Sequence, residues 1–280
     1  MNFDKIKNVY AVYFSPCGNV RQIVLTMAEY AGKKLKIPVI EIDFTLPQQR
    51  QEQYIFHNND LVFFGTPVYA GRVPNKIMPY IRENFIGNGA YAVSIVAFGN
   101  RDFDDALMEL SLLMEQNNFQ TVAGAAVVSQ HSFSKTIAAD RPNERDQKDW
   151  EKFVTGTLRK LKLQTKEMFH ISDHVPGTNP PEKYYIPIGI DGHAVKFLKA
   201  VPKTNLRLCN NCGVCAANCP MGSIDLRDPT VINGICIKCH SCIQKCPTNA
   251  KYFDDPDFLS HKEMLEKIYN KPVRSVFVVK

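Results

Sequence analysis

The chain has 280 residues, a formal net charge of +6 at pH 7, 45% hydrophobic residues and nine cysteines. That length holds one mid-sized domain and a smaller second unit; no apolar run approaches the ~18 residues of a membrane span. The opening MNFDKIKN carries no apolar signal segment, so a cytoplasmic, thiol-reducing setting is expected, and the absence of a Lys/Arg block or of a basic stripe interleaved with aromatics argues against nucleic acid.

In chain order, the apolar run 8–14 (NVYAVYF) predicts a buried strand. It is followed by the turn Ser15-Pro16-Cys17-Gly18-Asn19-Val20 and by a helix whose apolar face is Val20, Ile23, Val24, Met27, Ala28 and Ala31. Such a turn at a helix N-terminus presents free amides to an anion. Run 36–42 (KIPVIEI) predicts the second strand, with a helix expected at 46–57. Run 60–66 (DLVFFGT) is the third, followed by a loop from Thr66 to Pro74 that carries Tyr69 and Arg72, then a helix with Ile77, Ile81 and Phe85 on one face. Run 91–98 (YAVSIVAF) is the fourth, followed by Gly99-Asn100-Arg101-Asp102-Phe103 and a helix facing inward with Ala106, Leu110, Leu113 and Met114. Run 121–128 (TVAGAAVV) is the fifth, and Trp150, Phe153, Val154, Leu158 and Leu161 mark a last helix.

Five strands alternating with helices imply a doubly wound parallel sheet covered on both faces, an α/β domain over 1–165. The common five-strand order is 2-1-3-4-5, with ligands bound beyond the carboxyl ends of the strands. The informative turns follow strands one, three and four. One anion-binding turn flanked by two aromatic-bearing loops suits a flat ring with a phosphate tail. Tyr69 is expected to stack on that ring; Arg72 and Arg101 either donate to its edge or stand solvated. Cys17 reads as a replacement for a hydroxyl residue, His131 as a hydrogen-bonded structural histidine, and Trp150 as core.

Residues 166–200 read as a linker, punctuated by Pro176-Gly177 and Pro180-Pro181, with a turn at Ile190-Asp191-Gly192-His193. Then comes the most specific signal. Cys209-x-x-Cys212-x-x-Cys215-x-x-x-Cys219-Pro220 recurs 27 residues later as Cys236-x-x-Cys239-x-x-Cys242-x-x-x-Cys246-Pro247. Structural zinc uses two separated cysteine pairs, and disulfide frameworks belong to small secreted domains. The doubled run is instead the ligand pattern of a two-cluster ferredoxin. Cys209, Cys212, Cys215 and Cys246 would hold one 4Fe–4S cluster, and Cys236, Cys239, Cys242 and Cys219 the other. Small residues between the ligands (Gly213, Ala216, Ala217, Ser241) leave room for amides to approach sulfur, and Ile224, Val231, Ile235 and Ile237 offer an apolar shell. The basic excess reads as compensation for these anionic groups. His240, between two ligands, reads as an exposed spacer or as a group coupling protonation to potential. Residues 201–252 form this unit. In the remaining 253–280, residues 259–270 predict a helix, and 273–279 a strand or arm that braces the domains or pairs with a partner.

The segments FSPCGNV (14–20), GTPVYAGRVPNK (65–76), FGNRDFDDAL (98–107), QHSFS (130–134) and VPGTNP (175–180), together with the doubled cysteine run, resemble the flavodoxin–ferredoxin fusion proteins of anaerobic bacteria. The resemblance implies a flavodoxin-like FMN domain joined to a two-cluster ferredoxin and a role in low-potential electron transfer. It implies FMN contacts from Ser15, Pro16, Cys17, Gly18, Asn19 and Val20, from Pro67, Val68, Tyr69, Ala70, Gly71 and Arg72, and from Phe98, Gly99, Asn100, Arg101 and Phe103. In one respect the chain departs from the flavodoxin pattern. The phosphate loop there reads Ser/Thr-x-Thr-Gly-x-Thr, whereas Cys17 and Val20 hold the second and third hydroxyl positions here. Each lost charge-assisted hydrogen bond costs ~1.5–3 kcal/mol, which weakens phosphate binding while the backbone amides remain.

No catalytic triad, paired carboxylate motif or nucleotide P-loop is visible, and no nicotinamide fingerprint follows the first strand. The leading expectation is an electron carrier whose donor and acceptor are other redox proteins, with a homodimer left open. Two alternatives stand beside it: a flavin-dependent reductase fed by its own clusters, and a redox or oxygen sensor.

Overall fold

The computed structural model describes residues 6–163 and 169–279. The domain boundary expected at 165 falls on residues outside this set. Five strands, β1 (Asn8–Tyr13), β2 (Val39–Asp43), β3 (Asp60–Pro67), β4 (Tyr91–Phe98) and β5 (Gln120–Val128), pair in parallel in the order β2-β1-β3-β4-β5. This is the flavodoxin-like order, with its switch point between β1 and β3. A sixth strand, β6 (Val276–Val279), adds antiparallel to the open edge of β5. The C-terminal segment left undecided by sequence is therefore part of the sheet.

Alternation along the strands separates two cores. Val9, Ala11 and Tyr13 of β1 face one side, under α1 (Asn19–Leu35) and α4 (Glu144–Leu163), where Trp150 is fully buried. Val12 and Phe14 face the other, under α2 (Met78–Asn84) and α3 (Ala106–Gln116). The helix faces expected from 3.6-residue spacing are the faces that pack: Val20, Ile23, Val24, Met27, Ala28 and Ala31 of α1 are all buried. At Gly65 a Cβ would lie 2.2 Å from Val24, so the absence of a side chain sets how closely α1 approaches β3.

Residues 46–57, expected as a helix, instead form a 3-10 turn (Pro47–Gln49) and a two-residue strand (Tyr54–Ile55) paired with Phe85–Ile86. The run PQQRQEQ has no apolar stripe to hold a helix on the sheet. Arg50 pins the turn by donating to the carbonyls of Phe44 (3.1 Å) and Thr45 (2.5 Å).

The cysteine-rich unit is small. Its ends meet in a two-stranded antiparallel pair, Lys203–Thr204 with Tyr252–Lys251, around two short helices, α5 (Val214–Ala217) and α6 (Ser241–Gln244). The chain then returns through α7 (Pro256–Ile268), which begins at Asp255, whose side chain caps the Phe258 amide, and enters β6. The unit is thus inserted between two parts of the larger fold. Within 169–200, Ile171–Asp173 forms a 3-10 turn and Pro187–Val195 a hairpin closed by Gly189 N to His193 O (2.8 Å), at the turn read from sequence.

Candidate functional site

The two cysteine runs repeat in conformation as well as in spelling. Left-handed residues occur at Asn211 and Lys238, at Gly213 and His240, and at Gly222 and Asn249, each pair 27 positions apart. Gly213 and His240 head the equivalent helices α5 and α6. The amide of Ser223 donates to Cys219 Sγ (3.3 Å), and its counterpart Ala250 donates to Cys246 Sγ (3.2 Å). This shared backbone sorts the eight cysteines into two groups of four. Cys209, Cys212, Cys215 and Cys246 line one small cavity. Cys219, Cys236, Cys239 and Cys242 line the other. Each group takes three thiols from one run and one from the other. All nine cysteines are free, and among the described residues no three His, Cys, Asp or Glu side chains converge tightly enough for a single metal ion.

The two cavities differ in exposure. Cys239 and Cys242 are buried, whereas Cys212 is exposed. Ile224 packs with Cys215, Cys219 and Cys242 and is buried, while Val231 and Ile235 are more than a third exposed.

The second feature is a cavity of about 790 Å³ at the carboxyl ends of β1, β3, β4 and β5. Its floor comes from the turn after β1, through Ser15, Pro16, Cys17, Asn19 and Val20. One wall is Pro67, Val68, Tyr69, Ala70 and Gly71; another is Phe98, Gly99 and Arg101. Four residues expected at a cofactor do not line it. Gly18 is the left-handed N-cap of α1, with φ 94°. Arg72 pairs with Glu109 and donates to the Glu182 carbonyl. Phe103 packs on Phe98 with the rings tilted by 58° and their centroids 5.3 Å apart. Asn100 donates to the carbonyls of Tyr269 (2.6 Å) and Lys271 (2.9 Å) and accepts from the Val273 amide.

In the turn itself, Ser15 Oγ accepts the Arg21 amide (2.9 Å) and Asn19 Nδ2 donates to Gln130 O (3.1 Å). Cys17 points away from the helix and donates to the carbonyl of Cys239 (2.9 Å). Burial pushes its pKa up to about 12, with Lys245 opposing, so the group is a neutral thiol. Tyr69 lies in the same contact. Its hydroxyl is held well above its ordinary pKa by burial and then by the neighbouring Cys239, Cys17 and Cys236. Two further bonds cross the seam between the units: Arg50 Nη2 to Pro220 O (2.6 Å) and Gln244 Nε2 to Ser132 O (3.0 Å).

Sequence reasoning missed the cover. Residues 178–198, within the segment read as a linker with some order of its own, run as a strap along the cavity, which Tyr184, Tyr185, Pro187, Phe197 and Leu198 help to line. Tyr185 N donates to Ala70 O (2.9 Å), the Tyr185 ring lies 3.8 Å from the Arg101 guanidinium carbon, and the Tyr184 ring lies 5.0 Å from that of Arg72. Asp105 anchors the strap by accepting from the Thr178 amide and hydroxyl and from the Glu182 amide at 2.7–2.8 Å. Two adjacent aromatic residues followed by alternating isoleucines (Ile186, Ile188 and Ile190) were the available signal.

His240 is buried, not an exposed spacer. It packs among Phe133, Phe253 and Phe258, and burial pushes its pKa down to about 3. His131, half-buried, accepts the Phe133 amide at Nδ1 (3.1 Å) and lines the large cavity. No helix among the described residues is long and apolar enough to cross a membrane.

No protein-family model matches the chain, and no curated protein does. Among solved structures it is similar to a flavodoxin from the domain Archaea, at 13% identity and TM-score 0.38, over 56% of this chain and 99% of that one. It is also similar to the flavodoxin of Streptococcus pneumonia TIGR4, at 14% identity and TM-score 0.37, over 52% and 94%. A third is the apo form of an NADH:FMN oxidoreductase, at 13% identity and TM-score 0.42, over 61% and 97%.

Proposed function

We propose that this chain is an electron carrier of the flavodoxin–ferredoxin fusion kind, passing electrons between a bound FMN and two 4Fe–4S clusters. The observation that carries the reading is the crossed sorting of the eight cysteines into two cavities, one of which adjoins the loops of the large cavity through Cys17 and Cys239.

The donor sets fit the clusters. Four thiols stand around each space instead of meeting at one point, and amides of Ser223 and Ala250 already donate to ligand sulfur, the contact by which a protein stabilises cluster charge and tunes potential. The large cavity fits a phosphate-tailed ring. At the first turn of α1 the Asn19 and Val20 amides have no intrahelical acceptor, while that of Arg21 is met by Ser15 Oγ, and Tyr69 and Phe98 offer aromatic surface on the two flanking walls. When bound, clusters pass single electrons and a flavin exchanges one or two, so the pair converts between the two kinds of traffic.

Two features of this chain support an order for the line. Cys236 and Cys239 border the large cavity, so their cluster is the inner one. Cys212 is exposed, so the cluster of the 209–215 run faces an external redox protein. The strap and the packing of Phe133 on the buried Phe258 and Phe253 lay apolar surface around the inner junction.

The test is anaerobic purification with iron, acid-labile sulfide and flavin counted per chain, followed by a spectroscopic redox titration. Two cubanes and one FMN support the reading. Zinc or iron-free cysteines in protein kept from air would remove it.

A further inference from the structure

Two histidines from distant parts of the chain reach the same end of the large cavity. His131 follows β5, and its Nδ1 accepts the Phe133 amide at 3.1 Å. A backbone amide can only donate, so the ring proton sits on Nε2. His261 lies on α7, with Nδ1 2.8 Å from the Ile188 carbonyl. A carbonyl can only accept, so that ring carries its proton on Nδ1 and keeps a lone pair on Nε2. Burial lowers both pKa values: that of His131 to about 4, with the charges of His261 and Arg101 acting in the same direction, and that of His261 against its hydrogen bond with the Ile188 carbonyl, with Arg101 again lowering it. Both rings are neutral at pH 7. Both residues line the cavity, and neither Nε2 has a protein partner among the described residues.

The cavity end therefore offers one N–H and one lone pair, fixed by two backbone partners. His131 packs directly on Gly99, where a Cβ would lie 2.4 Å from the imidazole, so the pair sits beside the loop after β4. Phe133, Phe197 and Tyr185 supply flat walls. An anionic group does not suit this pair, because it needs donors only and the His261 lone pair would face it. A hydrocarbon would bury both nitrogens unpaired. A planar group with a carbonyl next to a ring N–H satisfies both at once.

We propose that His131 and His261 read the imide edge of the flavin ring: His131 Nε2–H donates to a ring carbonyl, and His261 Nε2 accepts the imide N–H. This rests on FMN occupying the cavity. It assigns part of the flavin site to α7, which lies beyond the cysteine-rich unit in the chain.

The test is a fluorescence-quenching titration of flavin-free, cluster-loaded protein with FMN and with FMN methylated at the imide nitrogen. Wild type should bind the methylated flavin about tenfold or more weakly, for loss of one buried hydrogen bond plus the steric methyl. His261→Leu should bind the two flavins alike. His131→Leu should lose affinity for both while keeping the preference. Discrimination is a ratio within one protein, so a variant that is merely less stable still reports. Equal affinities in wild type would overturn the assignment, as would a His261→Leu protein that still discriminates tenfold. A wild type that binds neither flavin defeats the FMN reading itself, and this inference with it.

Discussion

The Cys17 thiol donates to the Cys239 carbonyl across 2.9 Å, joining the turn that heads α1 to the loop between two cluster-run cysteines 222 positions away. The residue that departs from the phosphate-loop pattern is thus a contact between the two units. A threonine hydroxyl at this position would be free for a phosphate; the half-buried thiol is committed to the seam. Cys17→Ala leaves that carbonyl without its donor, and an unmet buried acceptor costs ~1–3 kcal/mol. The expected outcome is a lower melting temperature for Cys17→Ala in the cluster-loaded protein, with Cys17→Ser close to wild type. Identical melting of the two variants would show that the bond carries no weight.

The crossed cavities make a sharper prediction about iron. Cys246 lines the same cavity as Cys209, Cys212 and Cys215, although it ends the other run. Cys246→Ser should therefore disturb the cluster of the first run and leave that of Cys236, Cys239 and Cys242. Cys219→Ser should do the reverse. Electron paramagnetic resonance of the reduced proteins distinguishes the two when the Cys246→Ser spectrum is compared with those of Cys212→Ser and Cys239→Ser. If each serine variant perturbs the cluster of its own run, the crossing is wrong.

Asp105 ties the strap to the N-terminal end of α3. Burial works against its charge, but hydrogen bonds from Thr178 and Glu182 outweigh it and hold the pKa below the ordinary 3.8. A depressed carboxylate stabilises the fold fully above its unfolded pKa and loses that contribution as pH falls through the folded value. The anchor should accordingly weaken only below about pH 4, and at neutral pH Asp105→Ala should free the strap. Hydrogen exchange at residues 178–185 measures this directly: faster exchange is expected in the variant, with wild type unchanged from pH 7 to pH 5. Unaltered exchange in Asp105→Ala would mean that the tyrosine contacts alone hold the strap.

The parts legible in the sequence were those governed by local rules. Continuous apolar runs located all five parallel strands, and 3.6-residue spacing located the four helices that pack on the sheet, because a strand covered on both faces and a helix covered on one impose those patterns. The doubled cysteine spelling carried the grouping of the thiols. What stayed hidden depends on contacts distant in sequence. Tyr184 and Tyr185 read as linker residues because their partners, Arg72 and Arg101, lie more than 80 positions away. His261 reads as an ordinary helix residue until the hairpin carbonyl of Ile188 fixes its tautomer. His240 looked exposed because nothing local shows that Phe133, Phe253 and Phe258 close around it.

Asn100 yields a prediction of its own. Its place after β4, in a loop that flanks the large cavity, suggested a flavin contact. The side chain is instead 1% exposed and fully engaged, donating to Tyr269 and Lys271 and accepting from Val273. These three residues connect α7 to β6, so Asn100 positions the strand that covers the edge of β5. That edge needs cover, since TVAGAAVV carries no charge and would otherwise offer unpaired backbone to another chain. Ser275 adds a bond, its Oγ accepting the Val128 amide (3.1 Å), and Phe277 packs on Phe153 with ring centroids 5.2 Å apart. Asn100→Ala should then cost ~1–3 kcal/mol in denaturant unfolding and raise self-association in light scattering, while the affinity for FMN stays within about twofold of wild type. A variant that keeps its stability but loses flavin would return Asn100 to the cofactor and leave β6 held by its own pairing with β5.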